Sequence, residues 1–152
     1  MTPSEYVRLA VRTESTKNAN MTERLEHSAI GCCTETGELM DLIKRQLFYN
    51  KALDKKEAAK ELGDILWYVA IGCDALGFTM EEIMEANIAK LRARYPDKYT
   101  DEQAIQRDTK QEDKAADPLL DVNAHVNCTL PPKGWKCTRF SGHTGPCAAV
   151  AD

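Results

Sequence analysis

Glu35-Thr-Gly-Glu38 and Glu61-Leu-Gly-Asp64 are carboxylate pairs in which the second acid follows the first by three residues. On a helix that spacing puts both side chains on one face, about one turn apart. The second pair opens the apolar run Ile65-Leu-Trp-Tyr-Val-Ala-Ile-Gly-Cys73, which meets no further charge until Asp74. Carboxylates against such a surface are costly unless a partner or a cation neutralises them. Four acidic side chains from two helices can form an oxygen-rich cage, the coordination that Mg²⁺ prefers.

The elements that must position these acids are legible from their start signals. Thr2-Pro-Ser-Glu5 reads as a capping box with proline at the first helical position. Asn20-Met-Thr-Glu23 caps a long second helix predicted to reach about Tyr49, and Asp54-Lys-Lys-Glu57 caps a third. That third helix ends near Gly77, which suits a left-handed C-terminal cap. Thr79-Met-Glu-Glu82 caps a fourth, which stops before Pro96. Successive helix starts without a convincing strand predict an all-α bundle over the first ninety-five or so residues.

Periodicity assigns faces to these helices. Leu25, Ala29, Cys32, Cys33, Leu39, Met40, Ile43 and Leu47 fall on a broad apolar face of the second helix, with Glu35 at its border and Glu38 further toward solvent. The third helix is apolar nearly all round. Leu62, Ile65, Leu66, Val69, Cys73 and Leu76 share one face, and Trp67 and Ile71 another. Such a helix is expected inside a bundle or at a subunit interface. Glu61, Asp64 and Tyr68 form a narrow polar strip along it, and Asn87, Lys90 and Arg94 form a stripe of opposite character on the fourth helix.

The chain as a whole has 152 residues, 29% of them charged, and a formal net charge of −4. That balance fits a globular protein with no general drive toward nucleic acid. No apolar run is long enough to span a membrane, and Met-Thr-Pro-Ser-Glu lacks a secretory pattern. A cytoplasmic location is the expectation, with Cys32, Cys33 and Cys73 as buried thiols on apolar faces.

The ordered combination resembles the MazG-like nucleoside triphosphate pyrophosphohydrolases. The residues that carry the resemblance are Glu35-x-x-Glu38 with Gly37, Lys60-Glu-Leu-Gly-Asp-Ile-Leu-Trp-Tyr68, Asn87-Ile-Ala-Lys-Leu-Arg-Ala-Arg-Tyr-Pro96 and the early Tyr6 and Arg12-Thr13. It covers about Thr2 to Arg107. The family implies a four-helix bundle-like all-α fold, a homodimer or homotetramer, Mg²⁺ dependence with Mn²⁺ as a substitute, and cleavage of (d)NTP to (d)NMP and pyrophosphate. By resemblance Glu35, Glu38, Glu61 and Asp64 bind Mg²⁺ at the catalytic centre. Lys90 and Arg94 face the outer phosphates, Asn87 bonds sugar or phosphate, and Tyr68 contacts the nucleotide.

The residue types agree with that chemistry, because a triphosphate needs cations to approach an acidic site. Two other classes compete. A carboxylate-bridged di-iron bundle uses Glu-x-x-His pairs, which these motifs lack, and oxygen-only ligation favours Mg²⁺ or Mn²⁺. The acids can also be plain salt-bridge partners of Lys44, Arg45, Lys56 and Lys60.

Beyond residue 107 the composition changes. Residues 108–124 read as a polar linker, with a frayed helix as the alternative up to Asp117, and 125–152 as a small irregular appendage rich in glycine, proline, cysteine and histidine. Cys128, Cys137, His143 and Cys147, with His125 as a substitute ligand, could make a Cys₃His set of the kind that holds structural Zn²⁺, the alternative being incidental cysteines in a tail. A non-enzymatic binding module working through that zinc element is the remaining alternative for the chain.

Overall fold

The computed structural model describes residues 1–15, 17 and 20–121, together with the backbone of 135–137 and 149–151. The chain divides into two compact units, Met1–Leu76 and Gly77–Asp152. The first holds α1 (Pro3–Val11), α2 (Met21–Tyr49) and α3 (Lys55–Leu76). The second holds α4 (Met80–Arg94), α5 (Asp101–Ile105), α6 (Thr109–Ala116), a 3₁₀ turn (Asp117–Leu119) and a short ribbon of β1 (Trp135–Cys137) and β2 (Ala149–Ala151).

Each helix begins where a short polar side chain can cap it. Thr2 and Thr79 form full capping boxes with Glu5 and Glu82. Asn20 accepts from the backbone N–H of Glu23, and Asp54 from those of Lys56 and Glu57. Helix α2 ends on Asn50 in the left-handed region, with φ 52°, and Gly77 follows α3 with φ 79°. Both residue types tolerate that conformation, which turns the chain out of the helix.

In the first unit α2 and α3 form an antiparallel hairpin, and α1 lies on α3. The Ser28 hydroxyl donates to the Tyr68 carbonyl at 2.7 Å, and the Cys32 thiol points to the Ile65 carbonyl at 3.9 Å. Small residues set this approach. A Cβ on Gly31 would run into the Tyr68 ring, and one on Gly72 would lie 2.7 Å from Ser28 Oγ. Val7 and Ala10 of α1 and Ala70, Ile71 and Cys73 of α3 are buried. The Trp67 indole N–H, donating to the Ala10 carbonyl and Thr13 hydroxyl, ties the end of α1 to α3. Arg24 forks between Glu14 and Asp74, each at 2.7 Å.

The apolar faces are narrower than periodicity suggests. The seam of α2 runs through Ser28 and Gly31, whereas Ala29, Cys33, Met40 and Leu47 are exposed. On α3 Leu62, Leu66, Val69 and Leu76 are exposed, so they do not share a buried face with Cys73. One helix–helix contact buries only one stripe, so the remaining apolar stripes of this hairpin stay uncovered. Cys33 is accordingly an exposed thiol, while burial pushes the Cys73 thiol up to about 11.

In the second unit α6 packs on α4, so part of the stretch expected as a linker is an ordered helix. Asp108 caps it by accepting from the Gln111 N–H at 3.1 Å. Its Glu112 is 1% exposed and takes Arg94 at 2.6 Å and Arg107 at 2.9 Å. Both guanidiniums hold the carboxyl at about 2, well below the ordinary glutamate range. In the expected appendage, Trp135 pairs with Ala151 and Cys137 with Ala149 in an antiparallel register. Cys128, His143 and Cys147 and the side chain of Cys137 lie outside the described residues, and with them the zinc set. Among the described residues no single helix is long and apolar enough to cross a membrane.

The close approach at Gly31 makes a paired prediction. Gly31→Ala should destabilise the protein by roughly 1–3 kcal/mol, because the Tyr68 ring must leave its place. Gly37→Ala, where a Cβ meets nothing within 4 Å, should be neutral or stabilising by up to about 1 kcal/mol. Urea denaturation monitored at 222 nm separates them, and equal stabilities would contradict the packing described.

Candidate functional site

The register of the hairpin decides which acids meet. Stepping from Ser28 to Cys32 on α2 corresponds to stepping back from Tyr68 to Ile65 on α3. One further turn along each helix brings Glu35 opposite Glu61. Carboxylate oxygens of Glu35, Glu38 and Glu61 lie within 4.8 Å of one another. Glu35 and Glu61 are half-buried, and Glu38 is exposed. Asp64 stands one turn beyond Glu61 on α3, outside that three-residue cluster and exposed.

The electrostatics are those of an uncompensated acidic site. Burial, and then the negative charges of Glu38, Glu35, Asp64 and Glu57, hold the Glu61 carboxyl above its ordinary value. The neighbouring cations are engaged elsewhere: Lys44 and Arg45 pair with Asp41, and Lys60 with Glu57. Among the described residues no ion pair involves Glu35, Glu38, Glu61 or Asp64. Their salt-bridge alternative therefore finds no support in the pairs formed. The donor set is oxygen only, with no histidine in the cluster, so it suits a hard divalent cation and not a di-iron centre.

Residues 26–99 match the model of the MazG nucleotide pyrophosphohydrolase domain. The chain carries a MazG-family domain. No curated protein and no solved structure shows a significant match to the chain. The matched segment begins within α2 and ends just after α4, so it contains both acidic pairs and the basic stripe. Members of this family are in general nucleotide pyrophosphohydrolases that use a divalent metal. Helix α1, α5 and α6 lie outside the matched segment of the MazG domain.

The other expected site residues fall in varied settings. The Tyr68 ring rests over Gly31 and meets Trp67 edge-on at 4.8 Å and His27 at 5.3 Å between centroids. Asn87 is exposed, and Lys90 is half-buried with no ion pair among the described residues. Arg94 is different, since its Nε and Nη2 both donate to Glu112. The sequence alone assigned no role to Glu112 and Arg107, whose segment reads as a linker or a frayed helix. The available signal was Asp108-Thr-Lys-Gln111, a helix start like those recognised earlier in the chain. It also did not assign a role to Tyr6, whose hydroxyl lies 3.5 Å from the Gly63 carbonyl and whose pKa is raised by burial and then by Asp64.

The raised Glu61 carboxyl gives a signed prediction. Protonation of Glu61 stabilises the metal-free fold at low pH, and that contribution is lost as pH rises through the raised value. Mg²⁺ should therefore raise Tm more at about pH 7.5 than at about pH 5. Glu61→Gln should raise the metal-free Tm at the higher pH and remove most of the Mg²⁺ shift. Differential scanning calorimetry checks both, and an Mg²⁺ shift unaffected by Glu61→Gln would contradict a cation at this cluster.

Proposed function

We propose that the chain is a Mg²⁺-dependent nucleoside triphosphate pyrophosphohydrolase, cleaving (d)NTP to (d)NMP and pyrophosphate, with Mn²⁺ able to replace Mg²⁺. The observation that carries this reading is the Glu35, Glu38 and Glu61 cluster, which has no cationic partner among the described residues and lies within the family-matched segment. A bound divalent cation supplies charge neutralisation for phosphate oxygens and acidifies a coordinated water. Glu35 and Glu61, half-buried, would hold it, with Asp64 contributing from the next turn of α3. Glu38 is the exposed member and would orient the attacking water toward the α-phosphorus and take up its proton.

Positive charge for the outer phosphates would come from Lys90 and Arg94, and a hydrogen bond to sugar or phosphate from Asn87. Tyr68, with Trp67 and His27 edge-on to it, would meet the nucleotide. A cytoplasmic location accompanies this reading.

Self-association is the second part of the proposal. Ile30, Met40 and Leu47 of α2 are 64%, 58% and 70% exposed, and Leu62, Leu66 and Val69 of α3 are 56%, 43% and 38% exposed. Stripes of this kind on two neighbouring helices exceed the scattered apolar exposure normal for a monomer. A second copy of the chain would cover them in a homodimer or a homotetramer.

A panel of nucleoside triphosphates with Mg²⁺, resolving pyrophosphate from orthophosphate, should show pyrophosphate release. Asp64→Asn should keep the helicity and lose most of the activity, since it removes a negative ligand at nearly constant volume. Lys90→Ala should raise KM roughly tenfold, about the worth of one charge-assisted hydrogen bond. Orthophosphate as the product, or wild-type turnover by Asp64→Asn, would refute the reading.

Sedimentation velocity checks the assembly. The wild-type chain should sediment as a dimer or larger, and Met40→Glu combined with Leu66→Glu should shift it to monomer. A monomeric wild type at micromolar concentration would remove this part of the proposal.

A further inference from the structure

We infer that Glu112, braced by Arg107, is a positioning residue that fixes the guanidinium of Arg94 for a polyphosphate. For its substrate this inference rests on the pyrophosphohydrolase reading. Its geometry lies wholly within the second unit. Glu112 reaches Arg94 through parallel contacts, Nε to Oε1 at 2.8 Å and Nη2 to Oε2 at 2.6 Å. A side-on fork of this kind fixes the plane of the guanidinium as well as its place. Nη1 takes no part in that fork, and Tyr95 also bears on the guanidinium, its ring centroid 5.6 Å from the central carbon.

The charge balance favours positioning over blockade. One carboxylate faces two guanidiniums, because Arg107 donates to the same oxygens at 2.9 Å through both Nε and Nη2. These three side chains together keep a net positive charge, while Glu102 and Asp108 line the same cleft as Arg94. Glu112 is 1% exposed, whereas the Arg94 side chain is 18% exposed. The acid is enclosed, and the cation it holds can still be reached. Lys90 precedes Arg94 by four residues on α4, so the ammonium and the fixed guanidinium lie on one stripe of that helix. An arginine held in advance loses little freedom when an anion arrives, and a free one must be ordered by the anion itself. Residues 107–116, outside the MazG match, thus gain a task in the chemistry of the matched segment.

A double-mutant cycle on the full chain tests this, with Mg²⁺ present and inorganic tripolyphosphate as the calorimetric probe. Arg94→Ala and Glu112→Gln should each weaken tripolyphosphate binding about tenfold, and the double variant should bind no more weakly than Arg94→Ala alone. With nucleotide, KM should rise and kcat should stay within about twofold, because the reacting centre is untouched. Additive losses, or tighter binding by Glu112→Gln, would overturn the inference, the latter by making Glu112 a competitor of phosphate. Should Glu112→Gln lose helicity, Arg94→Lys carries the test. Lysine keeps the charge but cannot be held at two points, so unchanged binding would overturn the inference. Coupled losses of tripolyphosphate binding in a chain that cleaves no nucleotide would refute the pyrophosphohydrolase reading and leave the positioning role standing. Nucleotide cleavage without coupling would do the reverse.

Discussion

The close antiparallel approach of α2 and α3 is the contact on which the candidate site depends. Gly31 admits the Tyr68 ring, and Gly72 admits the Ser28 hydroxyl. Because the helices run in opposite directions, each turn toward the C-terminus on α2 is matched by a turn toward the N-terminus on α3. Glu35 follows Gly31 by one turn on α2, and Glu61 precedes Tyr68 by two turns on α3. A bulkier residue at the crossing would separate the helices and spread the acids, although no acid had been changed. The glycine is thus a determinant of cation geometry without being a ligand.

That assembly works against its own stability when no cation is bound. Three carboxylates within 4.8 Å repel one another, and burial together with that repulsion holds the Glu61 carboxyl above its ordinary value. The hairpin is held instead by contacts away from the acids. Helix α1, outside the MazG match, lies on α3 through Val7 and Ala10 and receives the Trp67 indole N–H. The Arg24 fork to Glu14 and Asp74 closes the far end of the same contact. Packing and polar ties at one end hold together helices whose acids repel at the other, an arrangement suited to a site completed by a metal.

Local chemistry was legible in the sequence, and packing partners were less so. The caps at Thr2, Asn20, Asp54 and Thr79, the end of α2 at Tyr49 and the left-handed Gly77 follow from residue types within a few positions. Periodicity located the apolar residues of α2 and α3, but it cannot say how many neighbours a helix has. Met40 and Leu47 are therefore exposed where a broad buried face was expected, and Ser28 and Gly31 form the seam. Spacing likewise put Asp64 on one face with Glu61, while the register that draws Glu35, Glu38 and Glu61 together depends on the helix crossing.

Glu112 shows why composition misleads at the end of the chain. Thr109 to Ala116 contains one face of small size and many charges, and its polarity reads as solvated. Its burial depends on a partner that lies eighteen residues away in sequence, Arg94. A buried carboxylate is tolerable only when its oxygens are satisfied, and here two guanidiniums do so at once. The same requirement runs in the other direction. Without Glu112, Arg94 and Arg107 would be cations converging on one place with no counter-charge, and nothing would fix the plane of either guanidinium. The α4–α6 contact therefore joins an ordinary problem of folding, the satisfaction of a buried charge, to the presentation of positive charge on α4.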